Sequence, residues 1–132
     1  MTRFTIDAPT LLHLVEGALS VDAKHQLVAP SSIRSEALTT LLRDVRAGRR
    51  TEPEARQLHT RMTEVKIRVL GDRMSRWTAW KIAQEHDWDN LRDAEYLAVT
   101  KLQADALVTV DPVLAAKADG VVPIAPLENL TR

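Results

Sequence analysis

Short apolar runs alternate with amphipathic segments along almost the whole of this chain, and that alternation limits the folds it can adopt. The runs read as strands, whereas the segments between them repeat apolar residues with the roughly 3.6-residue period of a helix. Strands that alternate with helices predict βαβ units, right-handed crossovers and a mostly parallel sheet covered on both faces. We therefore predict an α/β fold, and the length of 132 residues favours a single domain, residues 1–132.

Local signals give the approximate bounds of these elements. We predict strands at residues 3–7, 27–29, 67–70, 106–110 and 121–124. We predict helices at residues 9–17, 31–48, 51–65, 71–83, 91–103 and 111–118. Thr51 has the position of an N-cap. Trp77 and Trp80, three residues apart on the fourth helix, are assigned to the core or to an interface in preference to a base-stacking platform, because an aromatic content of 4% leaves little for stacking single strands.

Composition and charge exclude several classes of protein. The chain has no cysteine, which excludes disulfide scaffolds, thiolate zinc sites and cysteine nucleophiles and indicates a cytoplasmic protein. It has neither a signal-peptide pattern nor an apolar run near the ~20 residues that span a bilayer, so no membrane association is expected. Eighteen basic and eighteen acidic residues give zero net charge, which argues against coating nucleic acid through bulk positive charge but not against a nuclease.

Four acidic residues stand where an α/β sheet places ligand-binding groups. Asp7 and Asp111 close strand-like apolar runs near the two ends of the chain, and Glu36 and Asp93 stand near the starts of predicted helices. The carboxyl ends of parallel strands face one edge of the sheet, and the flanking helices begin close to that edge. The pattern therefore predicts one acidic pocket that collects all four side chains.

Each acid also has a purely structural explanation. Asp7 and Asp111 stand just before prolines that suit helix starts, so either one would serve as a helix cap. Asp93 lies where it would complete a capping arrangement, and Glu36 would be an exposed acid that pairs with a neighbour on its own helix. The sequence alone leaves both explanations open.

An acidic pocket of this kind would need a cation. Carboxylates that are brought together at low dielectric constant repel one another, and oxygen-only ligands select hard ions such as Mg²⁺ or Mn²⁺. A magnesium site that keeps its waters can supply a nucleophile for phosphodiester hydrolysis. The chain has no glycine-rich phosphate loop or dinucleotide fingerprint, so a nucleotide cofactor is not expected.

The segment RDAEYLAVTKLQADALVTVDPVLA, residues 92–115, resembles the C-terminal half of PIN-domain ribonucleases, especially the VapC-type toxins of bacterial toxin–antitoxin pairs. The positions that match the family's helix and the strand after it are Asp93, Ala94, Tyr96, Ala98, Thr109 and Asp111. FTIDAPTLL resembles the family's opening strand with its first acid, Asp7, and LVAPSSIRSEALTTLLR resembles the segment that carries its glutamate, Glu36. The resemblance covers nearly the whole chain and is least specific at residues 52–89.

This resemblance implies a PIN-like three-layer α/β/α sandwich and a metal-dependent endoribonuclease. It implies that Asp7, Glu36, Asp93 and Asp111 hold one or two Mg²⁺ or Mn²⁺ ions and are the catalytic residues, with Asp7 and Asp93 as direct ligands and Glu36 positioning a water. The partners it implies are an RNA substrate, a cognate small antitoxin and a second copy of the chain in a homodimer. Pro9 departs from the family pattern, because many relatives have a small hydroxyl residue there.

Two other classes stay open at this point. A non-catalytic PIN-like binding or interaction domain would use the same acids only to cap helices or to hold a structural ion. A phosphotransfer domain would use an aspartate at a strand end, but the chain has no clear partner lysine at the opposite strand tip. The four acids and the resemblance favour the nuclease over both.

Overall fold

Four parallel strands form a single sheet in the computed structural model, which describes residues 1–131. The strands are β1 (Thr2–Ile6), β2 (His25–Pro30), β3 (Ile67–Leu70) and β4 (Ala106–Val108). The α-helices are α1 (Ala8–Glu16), α2 (Ile33–Arg46), α3 (Glu52–Glu64), α4 (Arg73–Glu85), α5 (Arg92–Gln103) and α6 (Pro112–Ala118). A 3₁₀ turn, Leu127–Asn129, lies near the end. No helix in residues 1–131 combines the length and apolar character that a membrane span requires.

The sheet order is β3-β2-β1-β4, so β1 lies between β2 and β4. Phe4 of β1 pairs with Leu27 on one side and with Ala106 on the other. Three consecutive β1 residues, Phe4 to Ile6, are buried, as expected of a parallel strand that has helices over both faces. Helices α1, α2 and α3 pack together, α4 packs on α5, and α5 lies against β1, β2 and β4. This arrangement confirms the predicted α/β fold with a parallel central sheet.

Four of the six α-helices described in residues 1–131, namely α1, α3, α4 and α6, begin with a side-chain cap, whereas α2 and α5 do not. Asp7, Asp72 and Asp111 each accept a hydrogen bond from a backbone N–H in the first turn of the helix that follows. Thr51 caps α3 as predicted, and Glu54 completes a capping box by accepting from the Thr51 backbone N–H. Three of the helices therefore begin at an aspartate, and two of these aspartates are the acids that close the strand-like runs.

Two predicted strands differ from the structure. β4 ends at Val108 and not at residue 110, because the backbone N–H of Val110 donates to the Thr10 hydroxyl at 3.0 Å and leaves the sheet ladder. The strand predicted at residues 121–124 is wrong, since only an isolated bridge joins Ile124 to Leu107. Asp111 therefore lies beyond the strand end, where it caps α6.

The assignment of Trp77 and Trp80 to the core is also wrong. Their side chains are 54% and 49% exposed. The buried face of α4 carries the small residues Ser75, Ala79 and Ala83 together with Ile82. Small side chains on this face let α4 approach α5 closely, and helical geometry then places the two indoles outside. The alternative assignment, to an interface, stays a prediction.

The packing of α1 allows a matched test of the core. Leu11 of α1 is fully buried, whereas Leu42 of α2 is 57% exposed. We expect Leu11→Ala to lower the free energy of unfolding by about 2–5 kcal/mol, because it leaves a cavity under α1. Leu42→Ala should change it by less than about 0.5 kcal/mol. Urea unfolding followed by circular dichroism measures both values, and equal losses would contradict the described burial of α1.

Candidate active site

A cleft of about 170 Å³ opens at the carboxyl ends of β1 and β4, beside the first turns of α2 and α5. All four acids singled out from the sequence line it: Asp7, Glu36, Asp93 and Asp111. Pro9, Arg43, Arg92 and Tyr96 are among the other residues of its wall. The structure therefore brings together side chains that are as much as 104 positions apart, from Asp7 to Asp111 (111 − 7). Their roles as catalytic residues and metal ligands stay a prediction.

Asp7 is the most deeply placed of these acids, with 2% of its surface exposed. It follows β1 directly and caps α1, accepting from the backbone N–H of Thr10 at 3.2 Å. The Thr10 hydroxyl also donates to Asp7 Oδ1, and the Thr109 hydroxyl donates to Oδ2 at 2.7 Å. Burial raises the pKa of the Asp7 carboxyl above its ordinary value, although these hydrogen bonds act in the opposite direction.

The two hydroxyls around Asp7 also fix the segment that follows β4. Thr10 Oγ1 accepts from the backbone N–H of Val110, and Thr109 Oγ1 accepts from that of Asp111, both at 3.0 Å. One small network thus joins the end of β1, the start of α1 and the approach to α6. Pro9 has no hydroxyl to add to this network, and the next residue, Thr10, donates to Asp7.

Glu36, in the first turn of α2, is held from two directions. Its Oε2 accepts from Ser32 Oγ at 2.9 Å and from the hydroxyl of the buried Tyr96 at 2.8 Å. Its Oε1 lies 3.6 Å from the Nε of Arg92. Burial, with the neighbouring Glu36 carboxylate, raises the pKa of Tyr96 far above its ordinary value, so the phenol remains a hydrogen-bond donor at neutral pH. Glu36 is therefore more than an exposed acid paired along its own helix.

Asp93 is not a helix cap. Leu91 holds the N-cap position of α5 without a side-chain bond, and Asp93 Oδ2 instead accepts from Lys117 Nζ at 2.7 Å. Lys117 comes from α6, and its ammonium also lies 5.0 Å from the centre of the Trp88 ring, in a cation–π position. The partner of Asp93 is thus a lysine that sequence reasoning did not single out.

Asp111 is both a cap and a wall of the cleft. Its Oδ1 accepts from the Val113 backbone N–H at 2.9 Å, and within residues 1–131 no hydrogen bond reaches its Oδ2. A carboxylate can cap a helix with one oxygen and offer the other to a ligand. The structural and functional explanations of Asp7 and Asp111 are therefore compatible.

The side chains that line the cleft are of the kind that binds a hard cation, but they are not arranged around a single point where one would bind. Four carboxylates line the cleft, and the buried Asp7 is hydrogen-bonded only to hydroxyls and a backbone N–H. Among residues 1–131, however, no three acidic or histidine side chains converge closely enough to hold a metal ion. Lys117 and Arg92 face two of the acids, Asp93 and Glu36. The ammonium of Lys117 competes with a metal ion for Asp93, although it bonds only to Oδ2 of that carboxylate.

Several residues of the site had no usable signal in the sequence. Lys117 and Arg92 reach the acids only through the packing of α6 and α5. Glu95 is a third residue near the acids that the sequence did not indicate. The pKa of Glu95 is raised by burial and by the nearby charge of Glu36. The basic stretch at residues 43–50 contributes Arg43 to the cleft. Two of its other arginines, Arg49 and Arg50, instead form ion pairs with Asp44, each at 3.0 Å.

The raised pKa of Asp7 predicts how stability depends on pH. Without metal, ionising this carboxyl in the folded protein lowers the free energy of unfolding. The loss begins as the pH rises above 3.8, the ordinary pKa, and grows until the pH passes the raised pKa of the folded state. Asp7→Asn removes the charge and keeps an acceptor for Thr10. We expect it to be more stable than wild type in EDTA at pH 7, with a difference that shrinks towards pH 3.8. Urea unfolding between pH 4 and 8 tests this, with the exposed Asp119→Asn as control, and a less stable Asp7→Asn at pH 7 would contradict it.

Comparison with known proteins gives a match in structure only. No protein-family model matches the sequence, and no curated protein is similar to it. The chain is similar to the crystal structure of PAE2754 from Pyrobaculum aerophilum, with a TM-score of 0.72 and 25% identity over 96% of this chain and 90% of that one.

The chain is also similar to VapC20 of Mycobacterium tuberculosis, a toxin that cleaves the sarcin–ricin loop. The TM-score is 0.61, with 19% identity over 93% of this chain and 99% of that one. At these identities the likeness to VapC20 is evidence of fold. Together with the parallel sheet and the order of its helices, it confirms that this chain has the VapC-like PIN-domain fold that its sequence resembles.

Proposed function

We propose that this protein is a metal-dependent endoribonuclease that acts as the toxin of a toxin–antitoxin pair. The observation that carries the proposal is the cleft at the sheet edge, which is lined by four acids from separate elements, including a buried Asp7 that makes no ion pair within residues 1–131. The likeness of the fold to VapC20, which cleaves an RNA loop, supports the same class of reaction. The RNA substrate would enter where Arg43 and Arg92 line the wall.

In this proposal Asp7 and Asp93 bind Mg²⁺ or Mn²⁺ directly, and Asp111 contributes its free oxygen directly or through water. When bound, such an ion lowers the pKa of a coordinated water and offsets the charge that develops on the phosphate. Thr10 and Thr109 hold the Asp7 carboxylate in one orientation, so this ligand needs little reorganisation. Asp93 would hold the ion in competition with the ammonium of Lys117, which is its present counter-charge.

Glu36 is suited to position the attacking water and to accept its proton. Ser32 and Tyr96 both donate to Oε2, which fixes the carboxylate and leaves Oε1 towards Arg92. Because Tyr96 stays protonated, this orientation does not change over the neutral pH range. The cleft would also accept a basic side chain of a cognate antitoxin, since a guanidinium matches carboxylates in a bidentate geometry. We propose this partner, together with a homodimer, on the resemblance of the sequence to VapC-type toxins.

One observation favours a second candidate, a non-catalytic PIN-like binding domain. In residues 1–131 no three acids converge on a point, and Lys117 and Arg92 already face two of them. In such a domain the acids would cap helices and form internal ion pairs without holding a metal. The two candidates make opposite predictions for the variants below.

Asp93→Asn tests catalysis. It keeps the size of the side chain but removes the charge that would bind the metal, so we expect RNA cleavage in Mn²⁺ to fall by about 100-fold or more. Asp119→Asn, an exposed acid at the end of α6, is the matched control and should cleave as wild type does. Cleavage of single-stranded RNA is followed on gels at equal protein concentration. Unchanged cleavage by Asp93→Asn would favour the binding domain over the nuclease.

Mn²⁺ alone tests the metal site. A ligand that binds only the native state at one hundred times its dissociation constant adds about 2.7 kcal/mol to the free energy of unfolding, so the melting temperature of wild type should rise. Asp93→Asn should show a smaller rise. Lys117→Met frees Asp93 from its competing ammonium, so its melting temperature should begin to rise at lower Mn²⁺ than that of wild type. Identical curves for all three proteins in a Mn²⁺ titration would contradict a site at Asp93.

A further inference from the structure

A second surface of the molecule has no part in the chemistry described so far. We call it the tryptophan face of α4: Arg73, Met74, Arg76, Trp77 and Trp80, with Leu91 from the segment before α5. The rings of Trp77 and Trp80 are nearly parallel, with 7° between their planes and 5.8 Å between their centres. About half of each residue is exposed, so each indole of this stacked pair presents aromatic surface to solvent.

Packing does not account for these indoles. The core side of α4 is filled by Ser75, Ala79, Ile82 and Ala83. Met74, 63% exposed, adds to an apolar surface that the described chain leaves uncovered. Exposed clusters of large apolar side chains are a mark of contact with a ligand or partner.

The charge around the indoles indicates what kind of ligand fits. Arg73 lies one helical turn before Trp77, and Arg76 one turn before Trp80, so both arginines are on the same side of α4 as the indoles and line the same surface. Arg73 makes no ion pair within residues 1–131, and Arg76 donates to the carbonyl of Gly71. One acid, Asp72, also lines this surface; it caps α4 and lies within electrostatic reach of Arg76. Exposed aromatic rings beside two arginines, of which Arg73 has no acidic partner within residues 1–131, complement a single strand of nucleic acid, with its stacking bases and anionic backbone.

The tryptophan face is continuous with the acidic cleft. Leu91 borders the face, and the next residue, Arg92, lines the cleft with its guanidinium 3.6 Å from Glu36. Arg76 is close enough to act electrostatically on Glu95, which in turn feels the charge of Glu36. A strand whose phosphate lies in the cleft would therefore extend past Arg92 and Leu91 towards α4.

We infer that Trp77 and Trp80 stack an unpaired base of the RNA that enters the cleft, while Arg73 and Arg76 contact its backbone. This inference rests on the proposed nuclease function and assigns part of its substrate recognition to α4. It implies a preference for single-stranded over duplex RNA, because only an unpaired base presents a free face.

Binding without cleavage tests the inference. Fluorescence anisotropy of a labelled 12-nucleotide single-stranded RNA of mixed sequence, measured in EDTA, reports affinity while the reaction is off. We expect Trp77→Ala and Trp80→Ala to weaken binding about 5- to 100-fold each. Trp80→Phe should recover most of the loss, since a phenyl ring still stacks. Leu42→Ala, which removes an exposed apolar side chain from α2, should bind as wild type does.

The outcomes separate the two proposals. If both alanine variants bind the strand as tightly as wild type, the inference is overturned, and a shift of those variants from dimer to monomer in sedimentation would assign the face to a second copy instead. If they lose RNA binding but wild type cleaves no RNA in Mn²⁺, the face stands as a strand-binding surface and the nuclease proposal fails. A binding loss that Trp80→Phe does not recover would also count against stacking.

Discussion

The burial of one carboxylate, Asp7, is the constraint on which the site depends. It stands where the central strand passes into α1, and its charge is met by the hydroxyls of Thr10 and Thr109 and by a backbone N–H. The same hydroxyls accept the backbone N–H groups of Val110 and Asp111, so the acid fixes the chain that leaves β4. Folding thus orders the cleft and, by desolvating Asp7, raises its pKa and creates a demand for positive charge.

Basic side chains of the same chain neutralise two of the other acids. Lys117 faces Asp93, and Arg92 faces Glu36, while Asp7 has neither beside it. A buried or half-buried carboxylate that lacks a cation lowers the free energy of unfolding. The cleft is therefore less stable than an apolar one would be, but it is able to bind a cation. In the proposed account a divalent ion takes the place of Lys117 at Asp93. The ammonium, still beside Trp88, then becomes available to the phosphate backbone.

The sequence predicted the parallel sheet, the helices and the meeting of four acids, because these follow from periodicity, capping and the common edge of parallel strands. It did not predict that β4 stops at Val108, since the Thr10 hydroxyl that ends it lies 100 positions away. The pairing of Lys117 with Asp93 was equally inaccessible, because it depends on how α6 packs. Trp77 and Trp80 were assigned by hydrophobicity to a core or interface, whereas the small residues on the other face of α4 decide their exposure.

The most direct test of the account is anomalous diffraction from crystals soaked in Mn²⁺ at a concentration that supports RNA cleavage. We predict a peak in the cleft, beside the carboxylates of Asp7 and Asp93. A cleft without a peak, in crystals of protein that cleaves RNA under the same conditions, would contradict the claim that these acids form the catalytic metal site.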